Sequence, residues 1–240
     1  MIERFGEKLR TFFARFGYTC DCCEMETFNY PFNRLCKTCS DAMPRNDKTT
    51  CAKCGRKTKA DGVCLACKGD MPEFDKGLSP FVYQGLVASL VNRLKNGNRY
   101  LANYLGEEMV NVYRLNEGEQ DVVVACVPLT KEKFVLRGFN QASEIAKVVA
   151  KELAVEFDEE ILVKTRETPP QKHMSGKERR ENVAGAYRVH KRTKVKGKTV
   201  LLIDDIMTTG ATGSECARIL KNAGASKVIF LTACSLKERS

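Results

Sequence analysis

The sequence predicts an α/β protein with a mainly parallel sheet flanked by helices and a small cysteine-rich module at its N-terminus. Three observations support this prediction. Cysteines are concentrated between Cys20 and Cys67. After residue 120, continuous apolar runs alternate with segments of helical periodicity, as in sheets buried on both faces. One run ends on two adjacent acids and a turn rich in Thr and Gly, where such sheets bind ligands. We therefore expect a module over 1–75 and an α/β domain over 76–240.

The composition is that of an ordinary globular protein with a basic surface. Charged residues make up 29% of the 240 residues and hydrophobic residues 43%. The net charge of +10 favours phosphorylated or polyanionic ligands. No apolar run approaches the roughly 18 residues of a membrane span, and the N-terminus lacks the apolar core of a signal peptide. We therefore expect a cytoplasmic protein without a membrane span.

The cysteines predict zinc binding. Nine of the 12 lie within residues 20–67, and eight of these form the CxxC pairs Cys20/Cys23, Cys36/Cys39, Cys51/Cys54 and Cys64/Cys67. Two-residue spacing lets two thiolates hold one tetrahedral Zn²⁺, and thiols stay reduced in the cytosol. Two structural Cys₄ sites are expected. The simplest pairing joins the first two CxxC units and then the last two, but an interleaved pairing would use the same residues. Cys22 could replace Cys20 or Cys23.

The N-terminal half of the chain predicts few regular elements. In order, they are an amphipathic helix over 1–18, the cysteine module over 19–70, a connection over 68–77, a short strand and turn in "LSPFVYQG", and two helices over 86–115 that are broken by Asn and Gly at 95–100.

The C-terminal half predicts alternating strands and helices. Strands are expected at 121–129, 161–165, 198–205 and 227–235. Helices are expected at 138–153 and 213–224, the second closed by Gly224 as a C-cap. Right-handed crossovers then leave the ligand site at the carboxyl ends of the strands.

The stretch "TVLLIDDIMTTGATGSEC" (199–216) carries the strongest functional signal. The strand places Asp204 and Asp205 at its carboxyl end. The backbone amides of the loop Thr208, Thr209, Gly210, Ala211 and Thr212, with the start of the next helix, can cradle a phosphate. Two carboxylates beside an anion site need other partners, for which sugar hydroxyls or Mg²⁺ are suitable. A phosphorylated sugar satisfies both halves of the motif. The alternative is a capped helix after an ordinary turn.

This combination resembles the ribose-5-phosphate loop of the type I phosphoribosyltransferases, which bind 5-phosphoribosyl 1-pyrophosphate (PRPP). By that resemblance, Asp204 and Asp205 hold the ribose hydroxyls, Thr208 to Thr212 hold the 5-phosphate, and Mg²⁺ accompanies PRPP. The segments "VPLTKEKFVLRGFNQASEIA" and "KTRETPPQKHMSGKERRENVAGAY" are similar to the ComF family of competence proteins. In that family a cysteine-rich zinc module precedes the phosphoribosyltransferase-like domain.

Further candidate ligands of the phosphates lie in two basic segments. Leu129 and Thr130 occupy the position of the pyrophosphate loop in the resembled fold, although an ordinary strand end is equally compatible with the sequence. Arg137, expected at a helix start, offers a planar fork for phosphate oxygens. Residues 164–180 predict a basic flap, in which Arg166, Gln171 and Arg179 are family-like positions; the alternative is a solvated loop.

Two functions remain open at this point. The resemblance implies a PRPP-binding protein of natural competence and DNA uptake, with single-stranded DNA and DNA-uptake proteins as possible partners. The alternative is an active phosphoribosyltransferase of nucleotide metabolism with an unknown acceptor and no DNA role. No general base can be named for an incoming nucleophile. The basic run 188–198 is compatible with a DNA backbone contact or with a soluble turn. The sequence predicts neither the acceptor nor the oligomeric state.

Overall fold

The computed structural model describes residues 19–27, 34–46, 49–117, 121–169 and 174–238. The helix predicted over 1–18 and the flap residue Gln171 lie outside these ranges. Within them, no helix is long and apolar enough to cross a membrane.

The described residues form helices and strands that alternate through the second half of the chain. The helices are α1 (Lys37–Asp41), α2 (Leu65–Gly69), α3 (Gly85–Lys95), α4 (Leu101–Asn116), α5 (Lys131–Arg137), α6 (Gln141–Leu153), α7 (Gly176–Val183) and α8 (Ala211–Asn222). The strands are β1 (Lys76–Leu78), β2 (Phe81–Val82), β3 (Val122–Cys126), β4 (Glu156–Phe157), β5 (Leu162–Lys164), β6 (Tyr187–Val189), β7 (Thr199–Met207) and β8 (Lys227–Ser235).

One parallel sheet organises the fold. Its strand order is β1-β8-β7-β3-β4, and β2 also pairs with β8. All of these pairings are parallel, with Leu202 of β7 between Ala125 of β3 and Phe230 of β8. Strands β5 and β6 form a separate antiparallel pair. The predicted fold class, a parallel sheet flanked by helices with a cysteine-rich N-terminal part, is confirmed.

The two faces of the sheet bury two apolar clusters because side chains alternate along each strand. Leu201 and Ile203 of β7 pack in the first cluster, with residues of α3, α4 and α6. Val200 and Leu202 pack in the second, with α8 and the β5–β6 pair. Strands β3 and β7 are almost entirely buried, which explains their continuous apolar sequence.

Several element boundaries differ from the predicted ones for local reasons. Helix α5 was not predicted. It ends at Gly138, whose φ of 75° is left-handed, and α6 begins after Asn140, whose side chain accepts a hydrogen bond from the Ala142 amide. Arg137 is therefore the last residue of α5, and the prediction that it begins a helix is wrong. Strand β7 runs on to Met207, two residues beyond the predicted end.

The two cysteine segments pack against opposite faces of the sheet. Cys20 and Cys39 are buried in the first apolar cluster. The four cysteines from Cys51 to Cys67 are buried in the second. Strand β1 begins at Lys76, and the division into parts 1–75 and 76–240 stays a prediction.

Candidate functional site

A cavity of about 440 Å³ opens at the carboxyl ends of β3 and β7. The sequence-predicted residues that line it are Leu129, Thr130, Arg137, Arg179, Asp204, Asp205, Thr208 and Thr212. They come from four separate chain segments, which the parallel sheet brings to one edge. Arg166 does not line this cavity. Thr209, Gly210 and Ala211 line a neighbouring cavity of about 500 Å³ on the other side of the loop.

The two acids point to opposite faces of the sheet, as neighbours on a strand must. Asp205 lies on the face of α3 and forms an ion pair with Lys95, with Nζ and Oδ2 at 2.7 Å. Asp204 lies on the other face. Its Oδ1 accepts a hydrogen bond of 2.8 Å from the Asp205 amide. Among the described residues, no lysine or arginine lies within ion-pair distance of Asp204.

The electrostatics of the pair are therefore asymmetric. Burial raises the pKa of Asp204 well above its ordinary value, and the negative charge of Asp205 raises it further, against the weaker attraction of Lys95. Asp204 is part-exposed at the cavity wall. An acid held in this way needs an additional positive charge or hydrogen-bond donor to stay ionised. A sugar hydroxyl or a divalent cation in the cavity would supply one.

The loop after β7 has the backbone expected of an anion site. Gly210 adopts a left-handed φ of 86° immediately before α8, which only glycine adopts without strain. The Ala211 amide contacts Thr209 Oγ1 at 3.4 Å. In the described part of the chain, the amides of Thr209 and Gly210 have no hydrogen-bond acceptor. These free donors and the N-terminus of the twelve-residue α8 favour a phosphate.

The opposite wall of the cavity is basic. Thr130 caps α5, and its hydroxyl accepts a hydrogen bond from the Lys133 amide. The Arg137 guanidinium donates to Gln141 Oε1 at 2.7 Å. Lys133 and Lys164 complete this wall. It suits a diphosphate, because several cations face the same volume.

Within the described part of the basic flap, residues 176–180 belong to the helix α7, whereas 165–169 form a loop. Ser175 and Glu178 form a capping box at the start of α7. From α7, Arg179 reaches the phosphate loop, and its Nη1 donates to Thr208 Oγ1 at 3.0 Å. Arg166 instead donates to the backbone carbonyls of Asn182 and Ala184, both at 3.0 Å. Arg179 is thus placed to contact a ligand, whereas Arg166 holds the flap together.

Three residues of the site were missed from the sequence. Lys95 pairs with Asp205 from the end of α3. Lys164 lies over the Tyr187 ring at 5.3 Å and donates to Thr168 Oγ1 at 2.8 Å. Burial and the charge of nearby Lys133 lower the pKa of Lys164. The aromatic ring of Tyr187 lines the cavity. Lys164 and Tyr187 are the first and last residues of a segment that resembles the ComF family, whereas Asp205, the partner of Lys95, is more than 100 residues away in sequence.

The eight CxxC cysteines form two clusters with the simple pairing. The first cluster is Cys20, Cys23, Cys36 and Cys39, and the second cluster is Cys51, Cys54, Cys64 and Cys67. Within each cluster the four sulfurs lie within 4.8 Å of one another. Cys22 is not a member of either.

The geometry and chemistry of both clusters fit a tetrahedral metal ion. Four sulfurs bound to zinc at about 2.3 Å lie about 3.8 Å apart. The pairs Cys23–Cys36 and Cys54–Cys64 are each at 3.8 Å, too far for a disulfide. In the second cluster, a hydrogen bond from Cys67 and the positive charge of Arg56 lower the pKa of Cys54 to about 5. A thiolate is the form that binds metal. Both clusters could therefore hold a metal such as zinc.

Comparison with known proteins agrees with this architecture. Residues 137–240 match the family model of the phosphoribosyl transferase domain. The acid pair and the loop lie within the matched residues.

Several curated proteins are similar to most of the chain. The chain is 29% identical to the DNA utilization protein YhgH of Escherichia coli O157:H7, over 83% of this chain and 89% of that protein. It is 25% identical to Competence protein F of Haemophilus influenzae, over 82% and 88%. It is 23% identical to Competence protein ComFC of Bacillus subtilis, over 81% and 80%. The chain is a homologue of the ComF and ComFC competence proteins, which confirms the resemblance.

Proposed function

We propose that this protein binds PRPP with Mg²⁺ in the cavity at the end of β7 and acts in DNA uptake or DNA utilization. The observation that carries the first part is the convergence of the acid pair, the loop residues Thr208 and Thr212 and basic side chains on one cavity of about 440 Å³. That volume and this order of charges suit a sugar with phosphates at both ends. The names of the relatives support the second part.

Each group of residues then has one task. Asp204 and Asp205 accept hydrogen bonds from the ribose hydroxyls. The amides of Thr209 and Gly210 donate to the 5-phosphate. Thr130, Lys133 and Arg137 face the diphosphate. When bound, Mg²⁺ neutralises the diphosphate and so makes it a better leaving group. The cysteine clusters hold zinc and have a structural role.

The same basic wall supports a transferase activity, because it would stabilise the leaving pyrophosphate. No described carboxylate or imidazole is placed as a general base. Lys164 is a candidate, because burial and Lys133 lower its pKa and it lines the cavity. The acceptor is not defined by the site.

A surface beside the cavity supports contact with single-stranded DNA. On α5, Phe134 is 50% exposed and directly follows the segment that contains the basic residues Lys131 and Lys133. Val135 and Leu136 are exposed next to it. An aromatic ring among cations can stack on a base while the cations contact phosphates. We propose the cytoplasm as the site of action, since the thiols of both clusters must stay reduced.

The test is titration calorimetry of the purified protein with PRPP and Mg²⁺. The double substitution Asp204→Asn and Asp205→Asn should weaken binding roughly 100-fold, as expected when two charge-assisted hydrogen bonds are lost. Glu152→Gln with Glu160→Gln is the matched control, because it changes the same charge on exposed residues outside the cavity.

An unchanged PRPP affinity in the aspartate variant would disprove the site. Titration with single-stranded DNA at two salt concentrations tests the DNA part of the proposal. Binding should weaken steeply with salt if cations contact phosphates.

A further inference from the structure

Arg56 lies between the second cysteine cluster and the phosphate loop. Its side chain is well buried, and the whole residue is 7% exposed. Its Nε lies 3.2 Å from Cys54 Sγ, and its Nη2 lies 3.2 Å from the backbone oxygen of Thr208. One guanidinium therefore donates to a cysteine of the cluster and to the first residue of the loop. The two ends of this contact are separated by more than 150 residues in sequence.

The contact fixes the orientation of one peptide group in the loop. A trans peptide is planar, so the carbonyl of one residue and the amide of the next point in opposite directions. Arg56 holds the Thr208 carbonyl on its own side. The Thr209 amide consequently points away from Arg56, and it has no acceptor within the described residues. This amide is one of the donors that the proposed 5-phosphate needs.

Thr208 is held from both sides. Arg56 binds its carbonyl, and Arg179 of the flap binds its hydroxyl at 3.0 Å. The contact from the flap depends on the position of α7. The contact from Arg56 involves no residue of α7.

The turn that precedes Arg56 packs directly against strand β1 of the sheet. The Gly77 amide of β1 donates to the Lys53 carbonyl at 2.8 Å. Asn46 donates to the Gly55 carbonyl at 2.6 Å. A Cβ on Gly55 would lie 2.2 Å from the Gly77 oxygen, so the two backbones are in direct contact. The support for Arg56 is rigid, and it depends on the fold of the second cluster.

We propose that Arg56 is a positioning residue that couples metal binding at the second cluster to the shape of the phosphate loop. This inference rests on the proposed function for its consequence, which is PRPP affinity. With metal bound, the turn from Cys51 to Cys54 is crosslinked, and Arg56 keeps its hydrogen bond to Cys54 Sγ. Without metal, the turn that carries Arg56 loses its crosslink, and the Thr208 carbonyl loses its donor.

The experiment measures loop order and ligand affinity separately in three variants. Arg56→Met removes both hydrogen bonds. Arg56→Lys keeps the charge but cannot span the two acceptors, because it lacks the guanidinium fork. Arg34→Met is the control: Arg34 ties the first cysteine segment to α4 through Glu107, at 2.7 to 2.9 Å, and does not line the cavity. Zinc per chain is measured for each protein.

We expect both Arg56 variants to keep zinc and to lower the ¹⁵N order parameters of the Thr209 and Gly210 amides in the ligand-free protein. A fall from about 0.85 towards 0.6 would mark the loss of a rigid backbone. The affinity for PRPP with Mg²⁺ should fall roughly tenfold, the effect of one hydrogen bond from a charged donor. Arg34→Met should leave both quantities unchanged.

Unchanged order parameters in Arg56→Met would overturn the inference. So would loss of zinc in both Arg56 variants, since Arg56 would then be a structural part of the cluster. If the unsubstituted protein binds no PRPP, the proposed function fails, but the order parameters still decide whether Arg56 positions the loop.

Discussion

The first and second cysteine clusters have the same local construction. Each begins with a CxxC turn whose flanking residues form an antiparallel bridge, Thr19 with Glu26 and Thr50 with Lys57. In each, the residue after the second cysteine has a left-handed φ, 63° at Glu24 and 69° at Gly55. The third cysteine then precedes a five-residue helix, α1 or α2. The two units are structural repeats, which the sequence revealed only through the CxxC spacing.

Their surroundings differ. All four sulfurs of the second cluster belong to buried residues, whereas Cys23 of the first cluster is exposed. The position after the left-handed residue is Met25 in the first unit, 68% exposed, and Arg56 in the second, 7% exposed. The first unit is attached through its backbone, for example by Arg93, which donates to the Cys22 carbonyl at 2.8 Å.

The difference shows how one metal-binding unit can have two roles. The first cluster sits on the helices of one sheet face, away from the cavity. The second is part of the core of the other face and contacts the phosphate loop. Burial and one side chain, rather than the cysteine pattern, distinguish them. We therefore expect the second cluster to matter more for stability and for ligand binding.

The strongest test removes each cluster in turn. Cys54→Ser with Cys67→Ser and Cys23→Ser with Cys36→Ser should each release about one zinc per chain. The second-cluster variant should lose several kcal/mol of stability because the cluster lies in the core, and its melting temperature should fall by roughly 10 °C or more. The first-cluster variant should lose less than half as much stability. Elemental analysis and thermal unfolding measure both effects. Equal losses of stability would contradict the comparison.

A smaller effect on stability tests the backbone contact between the second unit and β1. Gly55→Ala places a Cβ 2.2 Å from the Gly77 oxygen in a left-handed backbone. Strain and overpacking together should lower the free energy of unfolding by roughly 2–5 kcal/mol. Gly62→Ala is the control, because Gly62 also has a left-handed φ, of 103°, but nothing lies within 4 Å of its added Cβ.

The residue of the first unit that corresponds to Gly55 is Glu24, and the reverse substitution there should have a smaller effect on the free energy of unfolding. Glu24→Gly relieves a left-handed non-glycine residue and removes an exposed ion pair with Arg93. Relief of strain stabilises the fold and loss of the ion pair destabilises it, so we expect the free energy of unfolding to change by less than about 1 kcal/mol. Urea unfolding measures all three variants. A Gly55→Ala variant as stable as Gly62→Ala would show that the backbone contact with β1 is not tight.

The elements that could be predicted are those with a strong local pattern. Strand β8 was predicted at its observed limits, because a mostly apolar run that contains Val, Ile, Phe and Thr follows the Gly turn after α8. The acid pair could be placed at the end of β7 for the same reason. The CxxC units and their metal-binding character followed from the spacing, whereas the grouping of the units into two clusters came only from the structure. In each case the information lies within about ten residues.

The residues that could not be predicted act over long distances. Lys95 and Arg56 reach the end of β7 from segments more than 100 residues away, and nothing in their local sequence indicates a partner. Helix α5 was missed because it buries none of its residues and leaves Val135 and Leu136 exposed. Its sequence therefore lacks an amphipathic pattern. The position of the two clusters on opposite faces of the sheet could not be predicted either, because it depends on how the sheet is assembled.

The acid pair extends the comparison to the site itself, because Asp205 points to the face of the first cluster and Asp204 to the face of the second. Burial and the charge of Asp205 raise the pKa of Asp204 above its ordinary value. The folded protein thus binds a proton at Asp204 more tightly than the unfolded chain does. Ionised Asp204 therefore destabilises the fold, and this cost appears as the pH rises from the unfolded pKa, about 3.9, through the raised folded pKa.

Asp204→Asn should therefore raise the melting temperature of the ligand-free protein, and the gain should be larger at pH 7.5 than at pH 4.5. The amide can still accept the hydrogen bond from the Asp205 backbone. Asp205→Asn should do the opposite and cost about 1–3 kcal/mol, because Lys95 loses its partner in a largely buried position. Thermal unfolding of both variants at the two pH values measures the contrast. A destabilised Asp204→Asn variant at pH 7.5 would mean that Asp204 supports the fold and is not held at a cost for a ligand.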